Sequence, residues 1–163
     1  MSLLVRVLPE WEWPRLQSGI RLATMEDVPR IVAMGVEFLN GSSYQSVFLE
    51  NADQIRALAE RIIGSEDGDV LLSVNASGSV VGMIAMIAFD HFISGQRAAG
   101  EVVYWVEPRE RGSSGVRLLK AAEQWAKAHG AVFIQMIAPT PRTEMLYERL
   151  GYAPIERIFQ RAL

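Results

Sequence analysis

Apolar residues recur along the chain with two different periods, and the switches between them outline alternating strands and helices. Residues 20–23 read as a short strand. Thr24 and Asp27, three apart, form a helix-start signal of the capping-box kind. Val28, Ile31, Val32, Met34, Gly35 and Phe38 then fall on one helical stripe, with Pro29 in the second turn moving the true start. Asn40-Gly41 stops it. Asn51 or Asp53 caps a second helix, 54–63, whose Ile55, Leu58, Ala59 and Ile62 share a face and which ends at Gly64. Segments 70–74 and 80–89 are strands, and the turn cluster Asn75-Ala76-Ser77-Gly78 between them predicts a hairpin. Residues 90–100 read as a polar, glycine-bearing loop, and 101–106 as a strand closed by Glu107-Pro108.

After a loop at 109–114 comes a long helix. Leu118, Leu119, Ala122, Trp125 and Ala126 make its buried stripe, and Gly130 sits just past its end. A strand at 132–137, a helix at 140–149 closed by Gly151, and an extended segment at 152–159 interrupted by Pro154 complete the order β-α-α-β-β-β-α-β-α-β. A βαβ crossover between 101 and 137 requires a parallel pair. Beside the antiparallel hairpin it makes the sheet mixed, so the fold class is α/β (α+β), a central mixed sheet flanked by helices.

Composition narrows the chemistry. The 163 residues suit one domain, and 50% hydrophobic with 21% charged residues supports a sizeable core. Residues 1–19 form an arm and 20–163 the domain. In the arm, Trp11, Trp13, Pro9 and Pro14 crowd together without a period, which suits packing on the domain or a partner contact. A net charge of -3 argues against a nucleic-acid partner. The absence of cysteine excludes disulfides, thiolate metal sites and a Cys nucleophile. His91 and His129 are too far apart for a His-rich metal centre, and no metal is expected. The longest apolar stretch, 80–89, falls short of the roughly 20 residues of a membrane helix. No membrane partner and a cytoplasmic location are the expectations.

The strongest local chemistry lies between the strand at 101–106 and the long helix. The run is Val106-Glu107-Pro108-Arg109-Glu110-Arg111-Gly112-Ser113-Ser114-Gly115-Val116-Arg117. The first N–H groups of a helix lack internal partners, and its dipole adds partial positive charge there. A phosphate or diphosphate fits such a site. Gly112 and Gly115 let the backbone approach a ligand, Ser113 and Ser114 offer hydroxyls, and Arg109, Arg111 and Arg117 offer charge. A plain capped helix with solvated arginines is the bland alternative. The run is neither a P-loop, which needs Lys-Ser/Thr, nor a dinucleotide fingerprint, whose glycine spacing differs.

Pro108-x-x-Arg111-Gly112-x-x-Gly115 followed by Arg117-Leu118-Leu119 resembles the acetyl-CoA loop of the GNAT superfamily of N-acetyltransferases. Tyr147-x-x-x-Gly151-Tyr152 resembles that family's C-terminal Tyr-x-x-x-Gly-Phe/Tyr element, and the element order agrees from 20 to 162. The loop departs from the family pattern Gln/Arg-x-x-Gly-x-Gly/Ala at Ser114 and Val116, and Thr140 stands where Asn is frequent. The resemblance implies direct attack of an amine on the thioester of acetyl-CoA. It implies that Val106, Arg111, Gly112, Ser113, Ser114, Gly115, Val116 and Thr140 bind the cofactor. Main-chain N–H near Val106 would polarise the thioester, Tyr147 would protonate the leaving thiol, and Glu101 would act as the base through water.

Tyr104 and Trp105 point to opposite faces of their strand, one into the core and the other toward an acceptor cleft. Trp125 belongs to the core. Glu107 and His91 read as surface groups with weaker claims to a role. The acceptor, a small-molecule or protein amine, has no recognisable code in 41–46 or 90–96; the acidic balance hints at cationic ones. A homodimer is the common default for such domains. Against an active enzyme stand a non-catalytic acyl-CoA-binding sensor and an interaction protein working through Trp11 and Trp13.

Overall fold

Residues 19–46 and 48–161 are described by the structure, a computed structural model. Their order is β1 (Ile20–Leu22), α1 (Val28–Asn40), α2 (Ala52–Ile63), β2 (Gly68–Val74), β3 (Val80–Asp90), β4 (Arg97–Val106), α3 (Ser113–Ala128), β5 (Phe133–Gln135) and α4 (Pro141–Arg149). The sheet runs β1-β2-β3-β4-β5, antiparallel except for the parallel β4–β5 pair. The expected hairpin and crossover are both present. No helix among the described residues is long and apolar enough to cross a membrane. Trp11 and Trp13, with residues 1–18 of the arm, lie outside the described residues.

Strand alternation divides the core into two layers. Leu71, Ile84, Met86 and Ala99 face α3, where they meet Leu118, Leu119, Ala122 and the fully buried Trp125. Val70, Leu72, Met83, Ala85 and Trp105 face α1 and α2, meeting Ile31, Met34, Ala59 and Ile62. Burying each such side chain contributes on the order of 1.5–3 kcal/mol. Trp125 keeps its one polar atom satisfied by donating from Nε1 to Asp69 Oδ2 at 2.7 Å.

The start of α1 shows how Pro29 acts. Residues Met25–Asp27 form a 3₁₀ turn, and the α-helix begins at Val28, which puts Pro29 in its first turn, where a missing N–H costs nothing. Asp27 fastens this junction. It accepts from the Thr24 N–H at 2.8 Å and from both terminal nitrogens of Arg21 at 2.7 Å. The Arg21 guanidinium holds the carboxyl down at about 2. A lowered carboxylate stabilises above its unfolded value near 3.8 and ceases to do so as pH falls through about 2. Because Arg21 is 45% exposed, screening limits the gain. Asp27→Asn is therefore expected to cost about 1 kcal/mol at neutral pH. Urea titrations should show parent and variant converging at the acid end.

Three expectations need correction. β4 begins at Arg97, so the loop is only 91–96. Ala98, Ala99 and Gly100 are poor strand formers by composition. They are buried here because the central strand must pass close beneath its neighbours, and Phe89 lies over Gly100. β5 is three residues long, where six were expected. The extended segment at 152–159 forms no strand, and Ile155, Ile158 and Phe159 are almost fully exposed. Pro154 lacks the N–H that a sheet ladder needs.

Candidate active site

The site begins where two strands part. β5 pairs with β4 only through Ala98↔Phe133, Ala99↔Ile134 and Gly100↔Gln135, while β4 runs on to Val106. At the parting point β4 carries a bulge: Ala85 opposes Val103 and Met86 opposes Glu101, leaving Val102 as the extra residue. Val102 and Val103 consequently pack on the same side, toward α1 and α2. The bulge also brings Tyr104 and Val106 to the α3 side, the side from which Tyr147 of α4 reaches Glu101. Tyr104 and Trp105 do point to opposite faces, as expected. Glu101 sits within the strand, at its bend, and does not open it as the sequence suggested.

Glu101 and Tyr147 meet in this gap. The Tyr147 hydroxyl lies 3.3 Å from Glu101 Oε2 and 3.3 Å from the Ile137 carbonyl, and the Ile137 N–H donates to the same carboxylate oxygen at 3.2 Å. Glu101 thus bridges from β4 to the segment after β5, across the space the ladder has left open. Burial pushes its carboxyl up to about 7, against the lowering effect of the Ile137 and Tyr147 donors. Burial, then the Glu101 charge, pushes the Tyr147 phenol above its ordinary value, so it stays protonated at neutral pH. Its ring packs on Tyr152, centroids 5.4 Å apart, and Tyr152 is tied to Glu123 at 2.8 Å.

Val106 presents its backbone to the same gap. The Glu107 N–H donates to the Val81 carbonyl, which makes that pair the hydrogen-bonded one. Val106, one step back, turns its N–H and C=O away from β3. Its carbonyl is taken by Arg111 Nε at 3.1 Å, which ties the loop to the strand end.

The loop itself turns at Gly112, with φ at 107° and open space where a Cβ would stand. This conformation is nearly exclusive to glycine. Helix α3 starts at Ser113, and its first internal bond runs from the Val116 N–H to the Gly112 carbonyl at 3.1 Å. The N–H groups of Ser113, Ser114 and Gly115 precede that bond and face outward from the helix end. Val116 contributes its place in the turn while its N–H serves the helix. Ser114 is buried and its hydroxyl accepts from Arg117 at 3.1 Å; Ser113 is exposed. Gly115 is required by packing, since a Cβ there would lie 2.5 Å from the Tyr104 hydroxyl.

Other candidates are placed elsewhere. Thr140 caps α4, accepting from the Thr143 N–H at 3.2 Å. Glu107 pairs with Arg30. His91 lies in the 91–96 loop beside Ser94, and His129 caps the end of α3.

On the α1 side Glu101 opens into a pocket of about 200 Å³ whose wall includes Phe38, Tyr44 and Phe48. In the sequence Phe38 reads only as a helix-stripe residue, and no strand or helix pattern marks Tyr44 or Phe48. Their spacing, six and four residues apart from the last turn of α1 onward, is the available signal.

A mixed sheet that parts beside a glycine-bearing helix start defines a class of α/β proteins that solved structures share. An integron cassette protein from the mobile metagenome of Cole Harbour Salt Marsh is similar over 91% of both chains, with 21% identity and a TM-score of 0.73. A transcriptional regulator from Bacillus halodurans C-125 has 21% identity and a TM-score of 0.72, over 88% of this chain and 98% of that one. A ribosomal-protein-alanine N-acetyltransferase from Brucella melitensis biovar Abortus 2308 has 16% identity and a TM-score of 0.65, over 88% and 99%. At such identities the likeness is one of fold. Comparison with curated proteins finds no significant match. The model of the acetyltransferase (GNAT) family matches residues 37–152. The chain belongs to that family of acetyltransferases.

Proposed function

We propose that this protein transfers the acetyl group of acetyl-CoA to a primary amine by direct attack. The observation that carries the reading is the Glu101–Tyr147 pair, 3.3 Å apart where β4 leaves β5, with Tyr147 buried and Glu101 half-buried. The residues present fit the coenzyme: an outward-facing helix start at Ser113, a turn at Gly112 open on the side a Cβ would fill, and an unladdered strand leading from it. Gly112, Ser113, Ser114 and Gly115 would hold the diphosphate through main-chain N–H groups, with Arg111 bracing the loop against Val106. Val116 and Thr140 would shape the two walls from the helix turns they occupy. Acetyl-CoA supplies the acyl carbon, its bond to sulfur giving way to a bond to nitrogen, so that amine and thioester become amide and thiol.

The chain's own groups then have distinct tasks. The Val106 N–H donates to the acyl oxygen. Glu101, with its carboxyl near 7, is half ionised at neutral pH and takes the proton the amine gives up, directly or through a water. Tyr147, too weak an acid to ionise alone, donates to the sulfur and is resupplied by Glu101 through their hydrogen bond. One buried relay thus joins the site of proton release to the site of proton demand.

Release of free thiol from acetyl-CoA with a panel of amines tests the reaction, and calorimetry with CoA tests the binding. Tyr147→Phe is expected to lower kcat about a hundredfold with CoA affinity retained. CoA binding with no thiol release from any amine would leave a non-catalytic sensor as the reading.

A further inference from the structure

The pocket on the α1 side of Glu101 has a composition that selects among amines. Its wall carries three aromatic rings in succession. Phe38 and Tyr44 have centroids 5.9 Å apart at 46°, and Tyr44 and Phe48 are 5.9 Å apart at 36°. Val102 and Ile137 add aliphatic surface, and among the described residues Glu101 is the one charged group lining the pocket. Phe48 stands 49% exposed on that wall, although burial of its ring elsewhere would be favourable.

We infer that the acceptor is a primary monoamine on a flat apolar body of about one ring, seated against Phe38, Tyr44 and Phe48 with its nitrogen at Glu101. This rests on the acetyltransferase reading and names the substrate class within it.

Charge matching supports the inference. A single carboxylate neutralises a single ammonium, and the remaining wall rewards loss of water from apolar surface. A diamine would have to strip water from its second ammonium against phenyl rings and aliphatic groups, where the described lining offers ring faces but no second carboxylate, which is costly. The neighbouring depression behind Leu39 and Phe48 holds Glu50, bonded to Asn40 at 3.2 Å, and a diamine would have to cross the aromatic wall to reach it, which the diamine arm of the experiment tests. Alternation along β4 sets Val102 on the aromatic side while Glu101, one residue earlier, keeps its bonds to Tyr147 and Ile137. Pocket volume bounds the body. At about 200 Å³ it matches one ring with a short chain.

The experiment compares acetylation of 2-phenylethylamine, ethylamine and 1,5-diaminopentane by the full chain, with Phe48→Ala and Phe48→Tyr as variants. Phenylethylamine is expected to exceed both others in kcat/KM by about tenfold or more, mainly through KM, as burial of a ring implies. Phe48→Ala should collapse that ratio toward one, and Phe48→Tyr should retain it. If rings served only to attract the cation, ethylamine would lose as much as phenylethylamine, which would overturn the proposal. Preference for the diamine, or an aromatic preference untouched in Phe48→Ala, would overturn it too, with the acetyltransferase reading intact. If no amine in this panel is acetylated, the acceptor class is overturned as a substrate, and thiol release with a wider amine panel tests the acetyltransferase reading separately. Saturation-transfer NMR from the protein to phenylethylamine ring protons then decides the pocket alone: transfer lost in Phe48→Ala supports it, and no transfer in the parent overturns it.

Discussion

Glu101→Gln is expected to lower kcat/KM about a thousandfold while making the fold more stable above neutral pH. The two effects have one origin. The amide retains an acceptor for the Ile137 N–H and the Tyr147 hydroxyl, so the bridge across the parted strands survives. It has no basicity, so proton removal from the amine stops. For stability the sign follows from direction. Burial raises the Glu101 carboxyl from 4.5 unfolded to about 7 folded. A raised carboxyl favours folding fully below its unfolded value and loses that advantage as pH climbs through the folded one. The parent therefore gives up stability between about 4.5 and about 7, on the order of 2–3 kcal/mol, and the glutamine variant does not. Urea denaturation across pH should show the variant overtaking the parent as the carboxylate ionises. The pH profile of kcat/KM should rise with an apparent pKa near 7 in the parent and lose that limb in the variant.

Gly112→Asp should act on the other half of the site, raising the CoA dissociation constant about a hundredfold and lowering stability by no more than the strain of about 1–3 kcal/mol. Two costs combine. A side chain at φ 107° is strained by about 1–3 kcal/mol, and the turn relaxes away from the helix start to relieve it. The new carboxylate then opposes the coenzyme's diphosphate at close range. Gly112→Ala carries the first cost only and should weaken binding about tenfold. Calorimetry on both variants separates strain from charge. Equal affinity in parent and Gly112→Asp would remove the diphosphate from this loop. Because Gly112 is exposed and nothing lies within 4 Å of its would-be Cβ, core packing does not enter.

Much of this architecture is legible in local pattern, and the remainder is not for physical reasons. The stripes through Ile31 and Leu118 and the hairpin around Asn75 follow from side-chain periods that one segment contains by itself. The start of β4 is hidden because Ala98, Ala99 and Gly100 earn their place by fitting between neighbours, not by strand propensity. The segment after Tyr152 looked extended from its Ile155, Ile158 and Phe159, but extension becomes a strand only with a partner. At the site, Glu101, Tyr147 and the Ser113 helix start are each visible as types of residue. Their meeting is not, because 46 residues separate Glu101 from Tyr147 and only the sheet and α4 close that distance. The aromatic wall was missed for the same reason: Phe38 lies far along the chain from Glu101 and comes beside it only once α1 is laid on the sheet.

The extra residue in β4 also constrains how this chain can change. Each strand carries two alternating messages, one for each helical layer, and Val102 is the point at which they exchange places. Losing Val102 would let Glu101 and Val103 follow one another in an unbroken ladder opposite Met86 and Ala85, so that Tyr104, Trp105 and Val106 would keep their layers and only the bend would vanish. A single-codon deletion at the bulge would therefore spare both layers and fall on the bend beside Glu101 alone, so the length of this stretch is set by the site rather than by the core.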